Sequence, residues 1–284
     1  MPADTDPRPR LLVAVEDDAA SLNAARYGAT LADYLSLSRC LLHVEAIPPV
    51  QLRRMRALDT GEYEIAQGRA RRSIKPVLEA LGDPRWEALV RIGDVAMEVA
   101  AACRENQAAL LVVGRRELGA LSRWLLGNVS QEILHAVDLP LLIVPEGARP
   151  PERDLWHFVV ATDLSVAARA ALPTAAMLGA AGARLTVVHV GANEPSVDAE
   201  LAAWSDELSA SAVSVKTCRL DGDPLDAIPA AVEGLQATGV IVATHGRSAL
   251  ERVFVGSVAE GLLERLSCPT LVVRALARPS EAEA

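Results

Sequence analysis

The sequence predicts an α/β fold built twice: two domains, each a five-stranded, mainly parallel sheet with helices on both faces. Three observations carry this. Short runs rich in Val, Ile and Leu alternate with longer helical patterns, the mark of strand–helix–strand units. Runs such as 139–144 and 240–243 are apolar without alternation, as strands buried on both faces are. Landmarks of the first half also recur in the second at a constant offset. Gly93 and Gly222, Gly114 and Ala243, Gly127 and Gly256, and Pro140 and Pro269 are each 129 positions apart. A length of 284 residues suits two domains, expected at 1–148 and 149–284.

Taken in order, residues 11–15 form the first strand, followed by Glu16-Asp17-Asp18 and a helix over 19–37. Residues 40–44 are the second strand, ending at His43-Val44. One long helical region spans 51–81, with Gly61 and Gly68 as weak points and Arg69, Arg71 and Arg72 on a solvated basic face. Strand three is 86–92. Asp94 is placed to cap the helix that ends near Asn106. Strand four is 109–113, a loop runs from Gly114 to Gly127, Asn128 opens the last helix, and strand five is 140–144.

Residues 145–154 (Pro-Glu-Gly-Ala-Arg-Pro-Pro-Glu-Arg-Asp) read as a linker. The second copy has strands at 157–161, 185–190, 213–220, 240–243 and 270–273. An Ala-rich helix follows Asp163-Leu164-Ser165, another spans 195–210, and Gly222-Asp223-Pro224 opens a third. His43 and His189 differ by 146 positions, so the extra length of the first copy lies after its second strand.

Half the residues are hydrophobic and 3% aromatic, so the core is Ala, Val and Leu in close layers. A net charge of −9 disfavours nucleic acid or an anionic membrane as the main partner. The apolar runs are too short to cross a bilayer, and the polar start carries no signal-peptide pattern, so a cytoplasmic location is expected. Cys40, Cys103, Cys218 and Cys268 are scattered, without metal-ligand spacing, and read as reduced, buried small hydrophobes.

The stretch from Val240 to Ser257 carries the most chemistry. A buried strand runs into a loop and then a helix start, where unpaired N–H groups and the helix dipole favour an anion. Gly246 and Gly256 would let a phosphate approach the backbone. A structural reading stands beside this one: Ser257 and Glu260 form an S-x-x-E capping box that needs no ligand. Ligands of doubly wound sheets bind beyond the strand carboxyl ends at the switch in strand order. That point gathers Asp163, Val190 and the 243–257 stretch.

The spacing Ala243-x2-Gly246-x9-Gly256-Ser257 closely resembles the G-x2-G-x9-G-[S/T] loop of the universal stress protein family, with Ala for the first Gly. Val-Ala-Thr-Asp163, Val-Val-His189-Val, Gly222-Asp223-Pro and Ser-Cys-Pro269-Thr-Leu-Val-Val extend the likeness over nearly the whole chain as a tandem pair. The resemblance implies Rossmann-like, flavodoxin-related domains and ATP as ligand, with or without magnesium. It implies that Asp163 and Val190 hold adenosine and that Gly246, Gly256 and Ser257 hold phosphate, with Val242, Arg247 and Val258 as further nucleotide-binding candidates beside them. It also implies pairing through the last strands, as an internal pseudo-dimer or a homo-oligomer. Asp163 as a helix cap, His189 as a core histidine and His245 as a solvated turn residue are the structural readings.

Ala243 adds strain of about 1–2 kcal/mol if its position needs positive φ, and none if it need only be small. The first copy departs further. Glu117 stands where the second Gly should admit phosphate, and two unit charges 4 Å apart at an effective dielectric of about 20 repel by roughly 4 kcal/mol. Arg115, Arg116 and Arg123 offset part of this, and the first copy is expected to be a degenerate partner of the second.

No Walker A loop or Ser-His-Asp motif is present, so a nucleotide-binding stress or signalling module is expected, with slow ATP turnover at most. The alternatives are an interaction protein acting through its pseudo-dimer surface, and a carrier of an apolar ligand beneath the 51–81 helix.

Overall fold

The computed structural model describes residues 8–58, 61–116, 128–192, 194–210, 214–244 and 256–275. The chain divides into two compact units, Met1–Pro150 and Pro151–Ala284.

Unit 1 runs β1 (Arg10–Ala14), α1 (Ala19–Leu35), β2 (Ser38–Ala46), α2 (Pro49–Leu58), α3 (Glu62–Leu81), β3 (Trp86–Gly93), α4 (Val95–Glu105), β4 (Ala108–Arg115), α5 (Asn128–Ala136) and β5 (Leu141–Pro145). Its strands lie in the order β3-β2-β1-β4-β5, every pair parallel. The order reverses beside β1, so the switch point lies beyond the carboxyl ends of β1 and β4. Leu11, Leu12 and Val13 of β1 are wholly buried, which is why their run shows no alternation.

Small residues set the layer spacing. Ala24, Ala25 and Ala32 of α1 are fully buried, and a Cβ on Gly28 would lie 3.0 Å from a Val13 methyl. Asp18 caps α1 by accepting the Ser21 N–H at 2.7 Å, and Asp94 caps α4 by accepting from Met97 at 3.1 Å.

The expected single helix over 51–81 is two helices. The chain turns at Gly61, whose φ of +70 suits a residue without Cβ, while Gly68 stays inside α3. Ile47, Met55, Ala66 and Ile92 pack together under this pair, with Leu52 and Tyr63 against them.

The linker is also not a free tether along its whole length. Asn23 Nδ2 donates to the carbonyls of Pro145 and Ala148, both at 3.0 Å, holding the start of the expected 145–154 linker against α1. A short 3₁₀ turn, Arg153–Leu155, leads to the buried Trp156.

Unit 2 runs β6 (His157–Thr162), a 3₁₀ turn (Ala168–Ala170), α6 (Ala171–Ala180), β7 (Arg184–Val190), α7 (Pro195–Ser209), β8 (Ser214–Leu220), α8 (Pro224–Gly234), β9 (Gly239–Ala243), α9 (Ser257–Arg265) and β10 (Thr270–Val273). The order β10-β9-β6-β7-β8, again all parallel, repeats that of unit 1. One α7 stands where unit 1 has α2 and α3, so the longer connection after the second strand is an extra helix. No described helix is long and apolar enough to cross a membrane.

Candidate functional site at the switch point of unit 2

After β6 the chain does not enter a helix directly. Asp163 Oδ1 accepts the Ser165 N–H at 3.0 Å, Leu164 N–H donates to Thr162 Oγ1 at 2.9 Å, and Leu164 takes a left-handed φ of 61. Ser165 Oγ then accepts from Ala168 at 3.1 Å. The side chain of Asp163 thus shapes a tight turn, and α6 starts only at Ala171. Asp163 is not a helix cap; its carboxylate and the Ser165 hydroxyl shape the turn that leads into the 3₁₀ segment.

His189, near the end of β7, is buried, with Nδ1 3.0 Å from the Thr162 carbonyl oxygen. A carbonyl only accepts, so Nδ1 carries the proton. A Cβ on Gly191 would lie 2.5 Å from Nε2. His189 ties the ends of β6 and β7 together, and His43 does the same in unit 1, with Nδ1 2.9 Å from the Val15 carbonyl.

At the end of β9, Ala243 is not among the residues of positive φ, so it carries no left-handed strain. Gly256 has φ −55 and ψ 142, and its N–H donates to the Thr244 carbonyl. A Cβ there would come 2.9 Å from that same oxygen. Two expectations are corrected by this. The Gly256 N–H is committed to the protein rather than offered to a phosphate. The capping box does not form as read, because Gly256 is the N-cap and Ser257 already lies inside α9. The donors aimed outward are those of the first turn, Ser257, Val258 and Ala259, which have no acceptor within the helix.

These elements enclose a cavity of about 290 Å³. Asp163, Val190, Val242, Gly256, Ser257 and Val258 all line it. Ala161, Thr162, Ala168, Pro224, Ile228, Ala243 and Ala259 complete the lining. Pro224 and Ile228 were missed by sequence reasoning. Gly222-Asp223-Pro224 signalled only a helix start, and Asp223 does cap α8 by accepting from Leu225 at 2.7 Å. That cap brings the first turn of α8 to the cavity, a tertiary consequence. His245, Gly246 and Arg247 lie outside the described residues.

In unit 1 the side chains at the corresponding strand ends pair with one another. Arg116, just after β4, donates to Glu16 Oε2 at 2.6 Å and to Asp18 Oδ2 at 2.7 Å. Burial would raise the Asp18 carboxyl, but hydrogen bonds from Ser21 and the charge of Arg116 outweigh it and hold the group below its ordinary range. A Cβ on Gly114 would meet the Ala20 carbonyl oxygen at 2.5 Å, so α1 lies directly on the end of β4. Arg115 is buried, and Arg116 pairs with the Glu16 and Asp18 carboxylates. Glu117, Arg123 and Gly127 lie outside the described residues.

All four cysteines are free. Burial pushes the Cys40 and Cys103 thiols up to about 12, which makes them inert. Cys218 and Cys268 are half-buried rather than buried.

Each unit is a doubly wound parallel sheet, and in unit 2 a ligand-sized cavity opens at its switch point, which defines a duplicated Rossmann-like α/β domain. The universal stress protein family model matches residues 7–145 and 192–274. The chain belongs to the universal stress protein family. The second match starts after β7, and β6 and β7 occupy the same places in the strand order as β1 and β2.

A universal stress protein of Mycolicibacterium smegmatis is 26% identical over 291 residues, covering 93% of this chain and 96% of the relative. One from Mycobacterium tuberculosis is 27% identical over 192 residues, covering 60% of this chain and 63% of the relative. The crystal structure of a universal stress protein from Archaeoglobus fulgidus superposes with a TM-score of 0.71 at 21% identity. It covers 95% of this chain and 100% of that one, a likeness of fold.

Proposed function

We propose that this chain is a cytoplasmic stress-response or signalling protein that binds an adenine nucleotide, ATP with or without magnesium, at the cavity of unit 2. The observation that carries the reading is the cavity itself, bounded by six of the eight residues that the sequence motif singles out. At about 290 Å³ it sits near the lower end of ordinary ligand cavities.

Its chemistry suits the two ends of a nucleotide. Val190, Ile228, Pro224 and Val242 give an apolar slot for a flat base. The Asp163 carboxylate accepts hydrogen bonds, as ribose hydroxyls require. The first turn of α9 presents N–H groups and the positive end of the helix dipole to phosphate. Gly246 and Arg247 complete the phosphate-binding motif in sequence. Binding rather than turnover is the function, with the chain acting as a family member that also self-associates.

Purified protein is denatured and the supernatant assayed for adenine nucleotide, and refolded or ligand-free protein is titrated with ATP by calorimetry. Co-purified nucleotide, or saturable binding below millimolar ATP, supports the reading. An empty supernatant together with no binding at millimolar ATP and magnesium overturns it.

A further inference from the structure

The helices after the second strand carry opposite charge in the two units. In unit 1, residues 49–81 hold seven basic and four acidic side chains, in a chain whose net charge is −9. In unit 2, α7 holds Asp198, Glu200, Asp206 and Glu207 and no Lys or Arg.

Arg69 pairs with Glu45, and Lys75 with Glu79. Arg53, Arg54, Arg71 and Arg72 are exposed, with no ion pair among the described residues. Two large aliphatics sit within this basic face: Val50 is 72% exposed and Ile65 61%. Val50 lies one helical turn from Arg53 and Arg54, and Ile65 one turn from Arg69 and two from Arg72, so apolar and cationic groups share a surface. On α7, Leu201, Trp204 and Leu208 face the core. Ala199, Ala203 and Asp206, at i, i+4 and i+7, are exposed on the other side, flanked by Asp198 and Glu200.

We propose that the basic α2–α3 face of one copy docks on the acidic α7 face of a second copy of this chain. The exposed Val50 and Ile65 need an apolar floor, and the alanine row of α7 is flat enough to be one. Arginines around the aliphatics meet carboxylates around the alanines, so the contact combines burial at its centre with charge at its rim. A two-fold axis makes the contact twice and closes the assembly as a dimer. The charge pattern is independent of the nucleotide reading.

Sedimentation of the full chain at about 50 mM and about 500 mM salt, where screening lengths differ several-fold, tests the idea. The expected result is a dimer whose dissociation constant rises at least tenfold at the higher salt. The triple variants Arg53→Glu/Arg54→Glu/Arg72→Glu and Asp198→Lys/Glu200→Lys/Asp206→Lys should each be monomeric, with wild-type circular dichroism, and should form a complex when mixed. Monomeric wild type at low salt overturns the proposal, as does a dimer indifferent to both reversals or variants that stay apart when mixed. Monomeric wild type that binds phosphatidylserine vesicles assigns the basic face to lipid and overturns it equally.

Discussion

Gly114 and Ala20 are in backbone contact: a Cβ on the glycine would sit 2.5 Å from the alanine carbonyl oxygen. In unit 2 the residue at the same sheet position, Ala243, carries a Cβ and lines a cavity. The difference traces to the turn after the first strand of each unit. Asp18 starts α1 at once, whereas the Asp163 turn delays α6 to Ala171.

Gly114→Ala should therefore destabilise the protein by about 1–3 kcal/mol, the usual cost of overpacking. Ala243→Gly should cost only about 0.5–1 kcal/mol, the backbone-entropy cost of a glycine within a strand. Urea denaturation of both variants gives the comparison; equal effects would mean that Gly114 is not pressed against α1.

Unit 1 should stay closed to nucleotide even without the charge of Glu117. Glu117→Gly leaves the Arg116 pairs with Glu16 and Asp18 and the Gly114 contact in place, so calorimetry should record the wild-type stoichiometry. A second ATP equivalent bound by the variant would show that Glu117 alone was the obstacle.

Nucleotide and phosphate recognition should separate by mutation in unit 2. Asp163→Ala should weaken ATP about tenfold or more while hardly changing binding of inorganic triphosphate, the loss expected for hydrogen bonds to a charged group. Ser257→Glu should weaken both phosphate ligands and spare adenosine. An acid in the first turn of α9 favours the helix dipole, so the fold should be as stable as wild type. Gly256→Val is a poor probe, since its Cβ would strike the Thr244 carbonyl. Parallel losses for ATP and triphosphate in Asp163→Ala would remove the adenosine assignment.

Acid should act on unit 1 through Asp83. The Arg85 hydrogen bond, opposed by burial and assisted by the backbone and by Arg39, lowers the Asp83 carboxyl to about 2. The folded state prefers the ionised form, so this stabilisation is fully present above the unfolded value near 3.9 and fades as pH falls toward 2. Asp83→Asn should flatten the stability profile between about pH 4 and 2. An unchanged slope in that window would count against the pairing.

His157 should give unit 2 a separate dependence at milder pH. Burial, aided by the charges of Arg184 and Lys216, pushes its pKa down, while Nε2 lies 2.9 Å from Thr186 Oγ1. The fold prefers the neutral ring, so stability should decline as pH falls below the unfolded value of about 6.5. Replacing it with Gln should lessen that decline in a thermal-melt series from pH 7.5 to 5, and a retained decline would point to another group.

The pattern of apolar runs located strands such as β1, β5, β6, β9 and β10, because residues buried on both faces of a parallel sheet leave an uninterrupted hydrophobic signature, whereas β3 and β8 are part-exposed and carry charged residues. Local chemistry was equally legible at Asp94 and Asp223, whose side chains cap their own helices within three residues. The 129-residue offset exposed the duplication, and the motif around Gly256 led to residues that now line one cavity. What the sequence left open depends on distances between segments far apart in the chain. The place of Pro224 and Ile228 in the lining, the Thr244 carbonyl that takes the Gly256 N–H, and the Arg116 pairs across about a hundred residues to Glu16 and Asp18 are of that kind. Ser257 as cap or first helical residue turned on a single hydrogen bond. Residue type names the groups available for a contact; only the close packing of sheet and helices decides which of them meet.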